Sequence, residues 1–323
     1  METSYPAPRG GERVLFFRLS RYIERFALYR PLTCRVNWYH DDFTRSMWWT
    51  NSLGYRDREI DTPKPAGRLR VLCLGGSTTV EGPHNALTYP KYLERRLRTR
   101  LGEDRVEVIN CGVDAGIIGT TVAQTRRWLA LQPDLVVHYN FVNDLYGIVD
   151  TAIKRSVPPG SARGRLLKML AESRLAAWAF PDWFMPDTAL LESEIKKDVI
   201  EPLERMTREA QAGGVAVALC SFACPDANRL SMRERIYFDR TFDMRIPIPL
   251  RTPQYGRVVT VFNRMLKDSC RATGAIYVPV EENLTGGMET FADICHLRLP
   301  GIRRKADIVY DAVADTLAKR NAQ

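Results

Sequence analysis

Apolar positions fall into two patterns along the chain. Some are short continuous runs; others return every three or four residues. From Gly67 onward the two patterns take turns. Arg70–Leu74, Val106–Asn110, Leu135–Tyr139 and Val215–Cys220 are continuous apolar runs bounded by turn residues, which predicts buried strands, with a shorter one at Ala275–Val278. Between them the helical period, punctuated by Pro and Gly, predicts helices near Tyr89–Leu101, Thr121–Leu131, Leu191–Gln211, Arg257–Thr273 and Gly301–Arg320. Strands alternating with helices imply an α/β fold with a mostly parallel sheet covered on both faces. Sites in such sheets form at the carboxyl ends of the strands.

Three stretches depart from this rhythm. Residues 1–66 form an N-terminal extension to a domain spanning 67–323. Within the extension, Leu15, Leu19, Tyr22, Phe26 and Tyr29 share one helical stripe, and Arg18, Arg21 and Arg25 another. An amphipathic helix over residues 13–30 can lie on a membrane surface, meet a protein partner or pack on its own chain, and packing is the favoured reading. An aromatic stretch with Trp38, Tyr39, Trp48 and Trp49 follows and is expected to cover part of the core. Residues 145–190, with Pro158, Pro159, Gly160 and the aromatics Trp178, Phe180, Trp183 and Phe184, read as an insertion or lid. Residues 224–253 read as a second, irregular and mostly polar insertion.

Composition narrows the class. The 323 residues are 45% hydrophobic and 26% charged, ordinary for a globular protein with a sizeable core. The net charge of +9 could favour anionic partners, but the basic residues are scattered. Arg95, Arg96, Arg98 and Arg100 end one helix; Arg303, Arg304 and Lys305 open another; solvated faces and no nucleic-acid partner are the expectation. The seven cysteines are widely spaced with no CxxC pair, which argues against a zinc or dithiol redox site; Cys73 and Cys220 read as core. Without a signal-peptide pattern or a long apolar run, a cytoplasmic setting is the expectation.

Candidate chemistry clusters where the strands end. Ser77 follows a strand and two glycines, Gly75 and Gly76. A serine on such a turn can present its hydroxyl above a sheet, or merely cap the next helix. A phosphate loop would need a lysine after the glycines, and none follows. Serine needs a base. Of four histidines, His138 lies inside an apolar strand, His84 follows the Ser77 loop and His40 lies in the extension. His296 differs because Asp293 precedes it by three residues, a spacing that lets a carboxylate reach one ring nitrogen on a tight turn. Asn143, just past the third strand, can donate to a developing oxyanion or cap a helix.

Taken together and in order, these blocks resemble the SGNH (GDSL-like) hydrolases. Residues 71–82, VLCLGGSTTVEG, are similar to the nucleophile block in its Gly-Gly-Ser-Thr-Thr form. Residues 108–121, VINCGVDAGIIGTT, resemble the glycine block; residues 139–144, YNFVND, the asparagine block; and residues 291–301, FADICHLRLPG, the final Asp-x-x-His block. NSLGYR, residues 51–56, is similar to the segment that precedes the nucleophile strand in that branch.

The resemblance implies a flavodoxin-like three-layer α/β/α fold with a mostly parallel five-stranded sheet. It implies Ser77 as nucleophile, His296 as base and Asp293 as its orienting partner. Donors from Ser77, Gly112, Ala115, Gly116 and Asn143 would form an oxyanion hole. Phe141 and Val142 stand where family members carry glycine, which implies a bulkier floor to the site. The activity implied is release of a short acyl group, such as acetyl, from a carbohydrate or small-molecule ester, without metal or organic cofactor. An acyltransferase with the same triad and an inactive binding module are the alternatives.

Overall fold

A computed structural model describes residues 34–37, 46–156, 160, 165, 179–245 and 250–322. The amphipathic stretch 13–30 and His40 lie outside the described residues, as do Trp38, Tyr39 and Trp178. A small antiparallel pair, β1 (Cys34–Asn37) and β2 (Ser46–Trp49), precedes the main sheet. That sheet is built from β3 (Leu69–Gly75), β4 (Val106–Gly112), β5 (Leu135–Tyr139), β6 (Ala216–Cys220) and β7 (Ile276–Val278). Its order is β4-β3-β5-β6-β7, and every neighbouring pair is parallel.

The protein therefore has an α/β fold with a five-stranded parallel sheet flanked by helices. Every residue of β3, β4 and β5 is buried, which explains their nearly unbroken apolar sequences. The helix Tyr89–Leu101 packs against Leu299–Asn321 in one layer; helices Glu201–Ala212 and Thr252–Thr273 meet in the other. Helix ends follow local chemistry: Pro90, Pro202, Pro253 and Pro300 sit in first turns, and Gly274 closes its helix in the left-handed conformation at φ +72°.

The chain leaves β3, forms β4 on one side, then returns to form β5 on the other. Connections diverging from neighbouring strands open a crevice at their carboxyl ends. Gly75 is level with Gly112 on one side and Tyr139 on the other, so the loops after all three strands meet at one place.

The helix expected near Thr121–Leu131 is two short helices, Ile118–Ala123 and Thr125–Leu129, and the expectation differs from the structure in three further elements. The expected continuous helix 191–211 is two helices, Thr188–Ile195 and Glu201–Ala212, joined by a π turn at Lys196–Ile200. Pro202 lacks the N–H that an α-helix would direct to the carbonyl of residue 198, and its ring crowds that carbonyl; a wider turn relieves both. Residues 142–156 form a helix at the start of the expected insertion, with Leu145, Ile148, Val149 and Ala152 on its buried side. Met232–Arg245 is helical inside the stretch expected to be irregular. It starts at a capping box: the Ser231 N–H donates to Glu234 at 2.9 Å and the Glu234 N–H returns to Ser231 Oγ at 3.4 Å.

Charge is also buried. Arg70 on β3 faces its register partner Glu107 on β4 at 2.7 Å, and its remaining donors reach the carbonyls of Leu131 and Asp61 at 2.6 and 2.7 Å. Of the arginines ending helix 89–101, Arg98 pairs with nearby Glu94 and Glu103, while Arg96 and Arg100 cross to Asp307 and Asp315 of helix Leu299–Asn321. Among the described residues no helix is long and apolar enough to cross a membrane.

Candidate active site

Ser77 is the first residue of a single helical turn, Ser77–Val80, immediately after β3. Gly76, not Ser77, occupies the cap position, so the capping role that a Gly-Gly-Ser string allows is not the one Ser77 takes. The turn can be this tight because its neighbours are glycines. A Cβ on Gly75 would lie 2.2 Å from the Tyr139 carbonyl oxygen, and one on Gly112 2.7 Å from the Val80 nitrogen.

The Ser77 hydroxyl lies 2.8 Å from His296 Nε2, and His296 Nδ1 lies 2.8 Å from Asp293 Oδ2. The carboxylate beside Nδ1 places the ring proton there, leaving Nε2 as acceptor for the serine hydroxyl. The other carboxylate oxygen, Oδ1, accepts the backbone N–H groups of Cys295 at 2.9 Å and His296 at 2.8 Å. That turn is why three-residue spacing suffices: the acid folds back onto its own loop and orients the imidazole. The Ala292 N–H closes the loop on the His296 carbonyl at 2.8 Å. Ser77, Asp293 and His296 are 7, 5 and 4% exposed, so their mutual hydrogen bonds act in a poorly solvated environment.

Asn143 opens the helix after β5 and donates from Nδ2 to the Gly116 carbonyl at 2.9 Å; Asn140 donates to the same oxygen at 2.7 Å. One amide hydrogen of Asn143 is thereby used and a second is left. Asp144 accepts the Ile118 N–H at 3.0 Å, fixing the loop after β4 against the helix after β5. Burial pushes the Asp144 carboxyl up to about 7.

Two of the expected oxyanion donors are corrected. The Gly112 N–H is taken by Asn110 Oδ1 at 3.1 Å and the Gly116 N–H by the Val113 carbonyl at 3.0 Å, so neither is spare. Gly112 serves close packing under the Ser77 turn instead. Ala115 holds a left-handed φ of +57°, and the N–H groups of Ser77 and Ala115 have no acceptor among the described residues. The expected bulky floor is also corrected in part: Phe141 turns into the core, its ring 3.9 Å from that of Phe262.

The remaining histidines are placed elsewhere. His138 lies buried in β5, where desolvation pushes it down to about 4 and keeps it neutral. His84 accepts the Ala86 N–H at 3.3 Å and packs edge-on to Trp49. Asp293, Cys295 and His296 offer carboxylate, thiol and imidazole donors within 4.8 Å of one another, a set that could ligate a cation. The Asp293–His296 hydrogen bond and the Cys295 thiol, 3.4 Å from each, already account for their closeness.

Sequence reasoning missed residues that shape the site from beneath. Asp57 accepts the Asn110 N–H at 2.9 Å and pairs with Lys91 at 2.7 Å. Trp48, expected over the core, packs with Val80 and Val113 under the guanidinium of Arg56, the last residue of the NSLGYR segment, which donates to the carbonyls of Val80 and Gly82. Asn140 carries no signal apart from its nearness to Asn143. Lys305, expected on a solvated face with Arg303 and Arg304, is instead fully buried against Glu81, which falls inside the nucleophile block without a quoted role.

No family model matches the chain, and no curated protein matches it. Among solved structures, the chain is similar to an alpha/beta hydrolase enzyme from the metagenome of Lake Arreo, Spain, with 15% identity over 77% of this chain and 96% of that one, at a TM-score of 0.48. It is similar to a catalytic mutant of an acetylxylan esterase from Geobacillus stearothermophilus, with 14% identity over 76% and 94% of the two chains and a TM-score of 0.46. A third is a member of the lipolytic protein G-D-S-L family from Veillonella parvula, with 12% identity over 75% and 97% and a TM-score of 0.43. Likeness at this level leaves the chemistry to be argued from the site itself.

Proposed function

We propose that this chain is a serine-dependent carboxylic ester hydrolase. The observation that carries the reading is the chain of contacts Ser77 Oγ, His296 Nε2, His296 Nδ1, Asp293 Oδ2, with 2.8 Å at both hydrogen bonds. A buried serine, histidine and aspartate in this order is what an activated hydroxyl requires.

In the first half-reaction, Oγ of Ser77 forms a bond to the ester carbonyl carbon as Nε2 of His296 takes the hydroxyl proton. Asp293 holds the imidazolium. Charge on the carbonyl oxygen is met by the N–H groups of Ser77 and Ala115 and the remaining amide hydrogen of Asn143. The tetrahedral intermediate collapses, the imidazolium gives its proton to the leaving alcohol, and an acyl-serine remains. Water then gives a proton to His296 as it attacks the acyl carbon; the bond from that carbon to Oγ breaks as the imidazolium returns its proton to Oγ, which releases the acid and restores Ser77 and His296. Each oxyanion donor in such a site contributes about 3 kcal/mol to lowering the barrier.

The resemblance of the four motif blocks supports a short acyl group, such as acetyl, on a carbohydrate or small-molecule ester. The test is hydrolysis of p-nitrophenyl esters of increasing acyl length by wild type and Ser77→Ala, with product analysis in the presence of an alcohol. Acetate release by wild type and not by Ser77→Ala is expected. Equal rates in the two proteins would overturn the mechanism, and transfer of the acyl group to the alcohol in preference to water would make the enzyme an acyltransferase.

A further inference from the structure

Ser77 and His296 are 219 residues apart in sequence, so their hydrogen bond requires two separately folded segments to be held in fixed relation. One residue, Glu81, touches both. The Glu81 N–H closes the Ser77 turn by donating to the Ser77 carbonyl at 2.8 Å. Its carboxylate oxygen Oε2 accepts the N–H of Leu297, the residue after His296, at 2.7 Å. Its other oxygen meets Lys305 Nζ, and that ammonium also donates to the carbonyl of Thr78, the residue after Ser77, at 2.6 Å. Lys305 is wholly buried and lies over the rings of Tyr89 and Tyr139, with Nζ 4.5 and 4.3 Å from their centroids.

We propose that the Glu81–Lys305 pair positions the nucleophile and the base relative to each other, Glu81 tying the histidine loop to the Ser77 turn and Lys305 holding that turn from below. This inference rests on the hydrolase reading above. Stability alone does not explain the pair. Taking two charges fully out of water offsets most of what their attraction returns, and well-packed apolar side chains of similar volume hold a fold as well or better. Apolar side chains cannot accept the Leu297 N–H and donate to the Thr78 carbonyl, and those are the bonds that fix the two segments. Burial pushes the Glu81 carboxyl up and the Lys305 ammonium down, and each partner opposes the shift of the other. Relative movement of the two segments must therefore break a buried charge pair. Both are positioning residues: Glu81 bonds the Leu297 N–H and Lys305 the Thr78 carbonyl, each beside the reacting pair.

The test uses Glu81→Gln/Lys305→Met, which removes both charges at nearly constant volume and keeps an oxygen for the Leu297 N–H. Its melting temperature is expected within ~5 °C of wild type, since no charge is left without its partner. Its kcat for p-nitrophenyl acetate is expected to fall at least about tenfold with KM within about twofold, the sensitivity of a hydrogen-bonded reacting pair to small displacement. In its crystal structure the Ser77 Oγ to His296 Nε2 separation is expected beyond about 3.5 Å, outside hydrogen-bonding distance. Glu81→Met/Lys305→Met, which also removes the Leu297 acceptor, is expected to lose more, so that Gln at 81 acts as a partial rescue. A kcat within about twofold of wild type, together with a separation unchanged from 2.8 Å, overturns the proposal. If wild type itself hydrolyses no ester, the hydrolase reading fails, and the separation in the variant crystal decides the positioning claim alone: lengthened sustains it, unchanged overturns it.

Discussion

Adding one methyl group at Gly76 tests how closely the site depends on its floor. Gly76 has φ −89°, open to any residue, so Gly76→Ala introduces no backbone strain. The new Cβ would lie 2.8 Å from Asn140 Oδ1, 3.0 Å from Asn143 Nδ2 and 3.2 Å from the Gly116 carbonyl. Relief to an ordinary contact requires a displacement of about 0.5 Å. Neither asparagine can swing aside alone, because both are bonded to the same Gly116 oxygen, at 2.7 and 2.9 Å. The shift therefore moves Asn143, its neighbouring loop or Ser77.

The overpacking is expected to cost about 1–3 kcal/mol of stability, which leaves the protein folded. Complete loss of an oxyanion donor costs about 10²–10³ in kcat, so partial displacement is expected to cost about 10- to 100-fold. Steady-state hydrolysis of p-nitrophenyl acetate, read beside a thermal melt, gives both numbers. A Gly76→Ala protein with wild-type kcat would refute the placement of Asn143 at the oxyanion.

Three further outcomes follow from the same geometry. Asp293→Asn leaves the turn largely intact but removes the charge that sets the His296 tautomer, so kcat is expected to fall about 10⁴-fold with little change in melting temperature. Asp144, raised from 3.8 to about 7, favours the folded state in its neutral form; that stability is complete below about pH 4 and lost as pH rises through about 7. Asp144→Asn keeps an acceptor for the Ile118 N–H and is expected to flatten this part of the stability profile, raising stability relative to wild type at pH 8; urea unfolding across pH 4–8 reads it. Arg70→Met leaves the buried Glu107 carboxylate without its 2.7 Å partner. It is expected to cost about 3–5 kcal/mol by denaturant unfolding, most of it recovered in Arg70→Met/Glu107→Leu.

What the sequence made visible was carried in local strings. β3, β4 and β5 are buried on both faces, so their residues are mostly apolar, with Arg70 and Glu107 paired to each other where the run is broken. Asp293 and His296 meet through a single turn, which a three-residue spacing displays directly. Ser77 stands out because close approach leaves no room for a side chain at Gly75 and little at Gly76. What the sequence concealed depends on distance or on backbone bookkeeping. Glu81 and Lys305 are 224 residues apart, and each alone reads as a surface charge. Gly112 and Gly116 carry the family spacing, but their N–H groups are spent within their own loop, a fact no spacing reports. The helix Met232–Arg245 has no clear apolar stripe, and only its Ser231-x-x-Glu234 box could have announced it. The π turn at Lys196–Ile200 has a single sequence cue, Pro202 in the turn that follows.

The most direct measurement is reaction of wild type and Ser77→Ala with a fluorophosphonate, followed by mass mapping of the modified peptide. The account requires one adduct in wild type, on Ser77, and none in Ser77→Ala. An adduct on another residue, or equal labelling of both proteins, would contradict the assignment of Ser77 as the nucleophile that His296 activates.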